Sequence, residues 1–259
     1  MFSLAAALVA CIAILPSIVG AQKAGLPWTT PNFDISQFLT TGKVTWYYTF
    51  GISSVSTSAE FVPMLFGASQ AAQWDSSINS VIQNQGVTHV LGFNEPNEAS
   101  QANLSPQAAA ALWQQHIQPL KAQGVLLGSP APSSSSSGLQ WLQQFVQVCT
   151  GCTVDFIAIH QFGTSASDVI AAVQEYHDVF PGKPIWVTEW TCADPNSGSG
   201  CSASAVASFM QTIQAFFDSQ SYVERYAWFG VFAGSSPVQI DLVDSSGHIN
   251  ALGEQYIGA

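Results

Sequence analysis

Two glutamates close apolar runs in this chain. Glu95 lies in Gly92-Phe93-Asn94-Glu95-Pro96-Asn97, and Glu189 in Ile185-Trp186-Val187-Thr188-Glu189-Trp190. Pro96 forces a turn and biases Glu95 toward an extended backbone. Two carboxyls that converge in space can cleave a glycosidic bond. One, protonated, gives its proton to the leaving oxygen, while the other, ionised, attacks the anomeric carbon; a separation of about 5–5.5 Å suits that retaining route. The pair needs unequal environments so that one proton is held at working pH. A lone glutamate after a strand is more often a cap or an ion-pair partner. Here five Lys and Arg face sixteen Asp and Glu, so ion pairing does not account for both.

The elements that would position these residues alternate along the chain. Short apolar runs at 24–27, 43–50, 60–66, 88–93, 125–128, 154–160, 184–188 and 225–229 read as strands buried on both faces. Helical patterns at 71–85, 106–123, 139–148, 166–179 and 203–220 separate most of them. The clearest is 106–123, with Ser105 as cap, Pro106 in the first turn and Gly124 after the end. Strands alternating with helices predict a parallel sheet. Eight candidate strands predict a single-domain (β/α)₈ TIM barrel, whose sites lie at the carboxyl ends of strands. The first two units are the least regular. By count Glu95 and Glu189 close strands four and seven. His160 closes strand six, as a cleft residue or a core histidine. Trp228 closes strand eight, as a sugar platform or a core aromatic. Trp46, Trp190, Tyr48 and Phe162 are further platform candidates, although alternation forbids Trp46, Tyr47 and Tyr48 from all facing the cleft.

Composition narrows the class. The 259 residues suit one barrel domain, and 47% apolar content opposes disorder. Residues 1–21 are nearly all apolar, without a charged side chain, and end in Val19-Gly20-Ala21, which reads as a secretory signal peptide; Pro16 interrupts the run and opposes a membrane anchor. The mature domain is then 22–259, secreted to the extracellular space or cell wall. A net charge of −11 without a basic cluster excludes nucleic acid and disfavours an anionic membrane. A neutral polysaccharide is the compatible partner, and the chain is expected to be monomeric. Cys11 leaves with the signal. Cys149, Cys152, Cys192 and Cys201 allow three pairings, of which we take neighbour pairing, Cys149 with Cys152 and Cys192 with Cys201. No metal or cofactor is expected, since the histidines lack paired spacing and there is no phosphate loop or nucleophile elbow. Asn103-Leu104-Ser105 is a glycosylation sequon or simply a helix cap.

The paired motifs carry a resemblance. Asn94-Glu95-Pro96 and Trp186-Val187-Thr188-Glu189-Trp190 resemble the active-site strands of the retaining-glycosidase clan with barrel folds. The closer match is glycoside hydrolase family 128, fungal endo-β-1,3-glucanases with an Asl1-like catalytic core. It covers nearly the whole mature chain, through KAGLPW at 23–28, VTWYY at 44–48, FVPML at 61–65, LGFNEPN at 91–97, LGSPAP at 127–132, VDFIAIH at 154–160, YAWFG at 226–230 and ALGEQY at 251–256. The resemblance implies Glu95 as acid/base, Glu189 as nucleophile, Asn94 on the 2-hydroxyl of the sugar, and His160 beside Glu189. One departure stands out. In His160-Gln161-Phe162-Gly163, relatives tend to carry an aromatic residue and then Tyr, so Phe162 lacks a hydroxyl that could orient the nucleophile.

Three functions fit this pattern: endo-hydrolysis of β-1,3-glucan, a barrel that binds β-glucan oligosaccharides without rapid cleavage, and hydrolysis of another β-glycan linkage.

Overall fold

A computed structural model describes residues 22–30, 32–194, 199–232 and 239–259. The expected signal peptide, 1–21, lies outside them. Ten strands and six α-helices are present among the described residues. Strands β1 (Ala24–Pro27), β2 (Val44–Tyr48) and β3 (Glu60–Phe61) come first. Then follow α1 (Ala71–Gln85), β4 (His89–Val90), α2 (Pro106–Leu112), β5 (Leu126–Leu127), α3 (Gly138–Val148), β6 (Ile157–Phe162) and α4 (Ala166–Val179). The chain closes with β7 (Ile185–Thr191), a hairpin of β8 (Ala193–Asp194) and β9 (Ser199–Gly200), α5 (Ala203–Ser219), β10 (Val223–Trp228) and α6 (Ala251–Ile257).

Eight of the strands form a closed parallel ring. Six lie in the order β3-β2-β1-β10-β7-β6, and β4 pairs with β5. The bridges Met64–Leu91 and Gly128–Phe156 join the two groups at both seams. The expected TIM barrel is therefore the observed fold. Its first three strands follow one another without an intervening α-helix, in the region where the sequence was least regular.

Alternation sorts the side chains, except where a register shift in β2 skips Thr45 and turns Trp46 to the face opposite Val44. Val44, Tyr47, Phe61, Val90, Ile157, Ile159, Val187 and Tyr226 point outward beneath the helices. Trp46, Tyr48, Val62, Leu91, Phe156, Ala158, Trp186 and Ala227 fill the barrel. Glycine makes room for the largest of these: a Cβ on Gly25 would enter the Trp46 indole, and one on Gly128 would enter the Phe156 ring. At the amino end of the barrel Phe156 stacks on Trp186 at 4.0 Å, and the Arg225 guanidinium covers Trp186 at 4.3 Å. Arg225 also pairs with Glu60 at 2.7 Å, and His89 bonds Glu60 at 2.9 Å. Burial pushes the Glu60 carboxyl up, but His89 and Arg225 more than offset it and hold it at about 2. The barrel floor is thus a packed aromatic plate closed by a charge cluster.

One expectation about an element changes. The helix expected over 106–123 is α-helical only to Leu112, widens to a π turn at Trp113–Ile117 and tightens to a 3-10 turn at Gln118–Gln123. Pro119, within that last turn, has no N–H to continue the ladder. The cysteines pair as expected, Cys149 with Cys152 and Cys192 with Cys201, at Cα separations of 5.4 and 5.5 Å. The second disulfide ties the β8–β9 hairpin to the end of β7.

Candidate active site

Three strands deliver three polar side chains to one point at the carboxyl end of the barrel. β4 leads to Glu95, β6 carries His160 and β7 carries Glu189. All are at least nine-tenths buried: Glu95 is 6% exposed, Glu189 4% and His160 0%. Their nearest ligating atoms all lie within 4.8 Å of one another.

A register shift aims Glu189. β6 and β7 pair Ile159 with Val187, then His160 with Glu189, so Thr188 is an extra residue on β7. Strict alternation from the inward Trp186 would turn Glu189 outward. The bulge reverses that parity, bringing Glu189 in and sending Trp190 out. His160, inward by simple alternation after Ala158, meets it directly.

Glu95 is held differently. Its N–H donates to the Ala131 carbonyl at 2.8 Å, the Asn94 N–H donates to the Phe66 carbonyl at 2.9 Å, and the Glu98 N–H closes a turn on the Glu95 carbonyl at 3.0 Å. Its φ is +40°, in the left-handed region. The extended backbone expected from Pro96 is therefore not what the fold adopts. These hydrogen bonds impose a conformation that costs a non-glycine residue on the order of 1–3 kcal/mol. Such strain is commonest where a side chain must be aimed.

One hydrogen bond and one close polar contact link the three groups. The Nδ1 of His160 lies 2.9 Å from Glu95 Oε1, and its Nε2 lies 3.4 Å from Glu189 Oε1. The Tyr48 hydroxyl is 3.1 Å from Glu189 Oε1 and 3.1 Å from the Thr188 carbonyl. Burial, then the charge of Glu189, raises Tyr48 well above the ordinary phenol range, so it stays a neutral donor. Burial pushes the Glu189 carboxyl up to about 7, against the opposing pull of His160; Glu95 adds to the rise and the Tyr48 bond reduces it. For His160, burial acts downward, but the two carboxylates outweigh it and raise the imidazole. Glu189 and His160 therefore titrate as a coupled pair and retain a proton toward neutrality. Asn94 donates through Nδ2 to Gln101 at 3.3 Å, while its Oδ1 is buried without a protein donor.

Of the expected site residues, Glu95, Glu189, His160 and Asn94 come together, and the three tryptophans do not join them. Trp46 is fully buried in the barrel, its indole N–H bonded to the Lys23 carbonyl at 3.0 Å. Trp190 and Trp228 point outward, 4.7 Å apart edge to face, packed with Phe209 beneath α5. A platform needs an exposed ring face, and all three are 0% exposed. Partly exposed phenylalanines stand at the mouth instead. Phe162 lies 6.0 Å from His160 and 5.6 Å from Phe229, which lies 4.9 Å from Phe232. Opposite, Phe50 packs on Tyr48 at 4.9 Å and lines a cavity of about 510 Å³ with Trp28, Thr49, Ile52 and Gln70. Phe50, Phe229 and Phe232 gave no separate signal in sequence. Tyr48 was a candidate for stacking, and its contact with the nucleophile position was not expected.

A family model described as glycosyl hydrolase catalytic core matches residues 25–256. The chain belongs to this family, glycoside hydrolase family 128. It is 34% identical over 252 residues to alkali-sensitive linkage protein 1 of Schizosaccharomyces pombe, a match covering 91% of this chain and 44% of that protein. The chain thus spans less than half the length of that curated relative. Among solved members of the family, it is 32% identical to a curdlan-specific exo-β-1,3-glucanase from Blastomyces gilchristii, solved with glucose (TM-score 0.76, 93% of this chain and 99% of the other). It is 29% identical to an endo-β-1,3-glucanase from Amycolatopsis mediterranei, solved with laminaritriose (TM-score 0.72, 92% and 99%).

Proposed function

We infer that this family 128 member is a secreted retaining endo-β-1,3-glucanase. The carrying observation is the pair of buried carboxyls, Glu95 and Glu189, whose nearest oxygens lie within 4.8 Å. That spacing suits direct attack, since an inverting enzyme separates its carboxyls by about 6.5–9.5 Å to admit a water. β-1,3-Glucan is the substrate of the similar enzymes from Blastomyces and Amycolatopsis.

In the first step Glu189, which must first give up the proton that burial favours, attacks the anomeric carbon as a carboxylate, and Glu95 protonates the departing glycosidic oxygen. In the second, Glu95 takes a proton from water, the water oxygen attacks the same carbon, and the bond to Glu189 breaks. Asn94 Oδ1 accepts from the 2-hydroxyl. Tyr48 steadies the carboxylate that attacks. His160 couples the two acids, so that a proton lost by one is felt by the other. The hydroxyl missing from Phe162 is supplied from the other side of the barrel by Tyr48, which argues against a barrel that only binds.

The test incubates the mature protein, with Glu95→Gln and Glu189→Gln, on laminarin and on a β-1,4-glucan, with products separated by chromatography. Laminari-oligosaccharides of several lengths from the wild type alone support the reading. Glucose as the sole early product makes the enzyme exo-acting, the second reading that the Blastomyces relative favours. Cleavage only of the β-1,4-polymer, or activity retained in both variants, rules the proposal out.

A further inference from the structure

Among the described residues, Glu95, His160 and Glu189 form the one group of three ligating side chains close enough to share a cation. The expectation of no metal rested on spacing along the sequence. These groups arrive from three separate strands, so sequence spacing could not reveal them.

The His160 ring is arranged as a metal-binding imidazole is. Its Nδ1 lies 2.9 Å from a carboxylate oxygen of Glu95. When Glu95 is ionised its carboxylate only accepts, and the Nδ1 proton then lies on that bond. The Nε2 is then the free lone pair, and it is fully buried with no hydrogen-bond partner. It faces Glu189 Oε1 at 3.4 Å. Two ligand atoms about 2.0–2.2 Å from a tetrahedral zinc ion stand about 3.4 Å apart. The gap is too long for a good hydrogen bond and matches one edge of such a site. A ligating histidine that donates its other N–H to a carboxylate is the usual support for zinc. Once zinc has displaced the second ring proton, two carboxylates around one neutral imidazole also supply the charge that a dication requires.

We propose that the catalytic trio binds one Zn²⁺, with His160 Nε2 and Glu189 Oε1 as ligands, Glu95 orienting the imidazole and water completing the shell. Zinc there occupies the nucleophile, so it competes with sugar and reversibly inhibits hydrolysis. Binding stands on geometry alone; inhibition rests on the glucanase reading above. Magnesium, which prefers six oxygens and holds its water, is not accepted.

Equilibrium dialysis of the wild-type mature protein against zinc chloride measures binding without catalysis. One equivalent is expected, displaced by laminaritriose. Glu95→Gln, which removes the orienting charge, should weaken binding about 10–100-fold. His160→Gln and Glu189→Gln should weaken it at least as much. His248→Ala, on the exposed Asp244–His248 pair at 3.9 Å, should change nothing. In parallel, zinc should lower laminarin hydrolysis competitively, with full recovery on chelation and no effect of magnesium. Should His160→Gln fail to fold, anomalous scattering from zinc-soaked wild-type crystals must place the ion between Nε2 and Glu189. No bound zinc at millimolar concentration, undiminished binding in the Glu189 and His160 variants, or an ion located elsewhere would overturn the proposal. A protein that cleaves glucan yet binds no zinc defeats this inference alone, and one that binds zinc yet cleaves nothing defeats only the functional reading.

Discussion

Burial of Glu189 ties activity to stability at a single side chain. Its carboxyl has an ordinary value of 4.5 and is pushed up to about 7 in the fold. Between those two values the native state holds a proton that the unfolded chain has lost, so stability falls as pH rises through that window and levels above it. His160, also raised, acts in the same direction: its contribution is full below the ordinary imidazole range and is lost as pH climbs past its folded value. The wild type should therefore melt highest in mild acid. In Glu189→Gln that slope should shrink, and its melting temperature at pH 8 should exceed that of the wild type, by on the order of 1–3 kcal/mol in stability. Melting curves across pH 4–8 check this, and parallel curves for the two proteins count against it. Tyr48→Phe removes one donor to Glu189, the proposed nucleophile. It should lower kcat about 10–100-fold, the equivalent of about 1.5–3 kcal/mol for a hydrogen bond to a charged group, with KM little changed. The glutamates and His160 were legible in sequence because each closes an apolar strand. Tyr48 in its present role was not, because its partner lies on a strand 141 positions away.

Strand parity decides what each element presents. The extra Thr188 in β7 could not be read from the sequence, because a bulge is set by pairing with the neighbouring strand. Counting straight on from Trp186 misassigns both Glu189 and Trp190. For Trp190 and Trp228 the physical outcome is core packing under α5, which leads to a stability effect. Trp190→Ala should cost about 3–5 kcal/mol; denaturant unfolding measures the loss. Trp228→Phe, a milder change, should leave KM for laminarin within about twofold, whereas a true platform loses more by stacking. The π turn at Trp113–Ile117 was likewise hidden, because caps mark where a helix starts and stops and say little of its winding.

Over the whole molecule, eight strands and a closed ring were readable from the alternation of apolar runs with helical patterns. The interior was not, since no local pattern predicts that Gly25 and Gly128 yield space to Trp46 and Phe156. The floor cluster of Glu60, His89 and Arg225 also depends on strands far apart in the chain. Removing Arg225 leaves Glu60 facing the barrel without its cation, and Arg225→Met should cost about 3–5 kcal/mol. The loss should be greatest near neutral pH. It should shrink as pH falls from 4.5 toward 2, where Glu60 accepts a proton and no longer needs the guanidinium. Urea unfolding at pH 7 and pH 3 compares the two conditions.

The left-handed backbone at Glu95 bears on how such a protein can change its trade. Glycine occupies that conformation without steric cost, and glutamate and glycine codons differ by one base. A single transition thus removes the carboxyl proposed as the acid while relieving the chain of a strained position. Glu95→Gly should melt no lower than wild type and still hold laminari-oligosaccharides, and a clear fall in melting temperature would speak against it. A catalyst built this way lies one mutation from a lectin, and selection for fold alone would not resist the step.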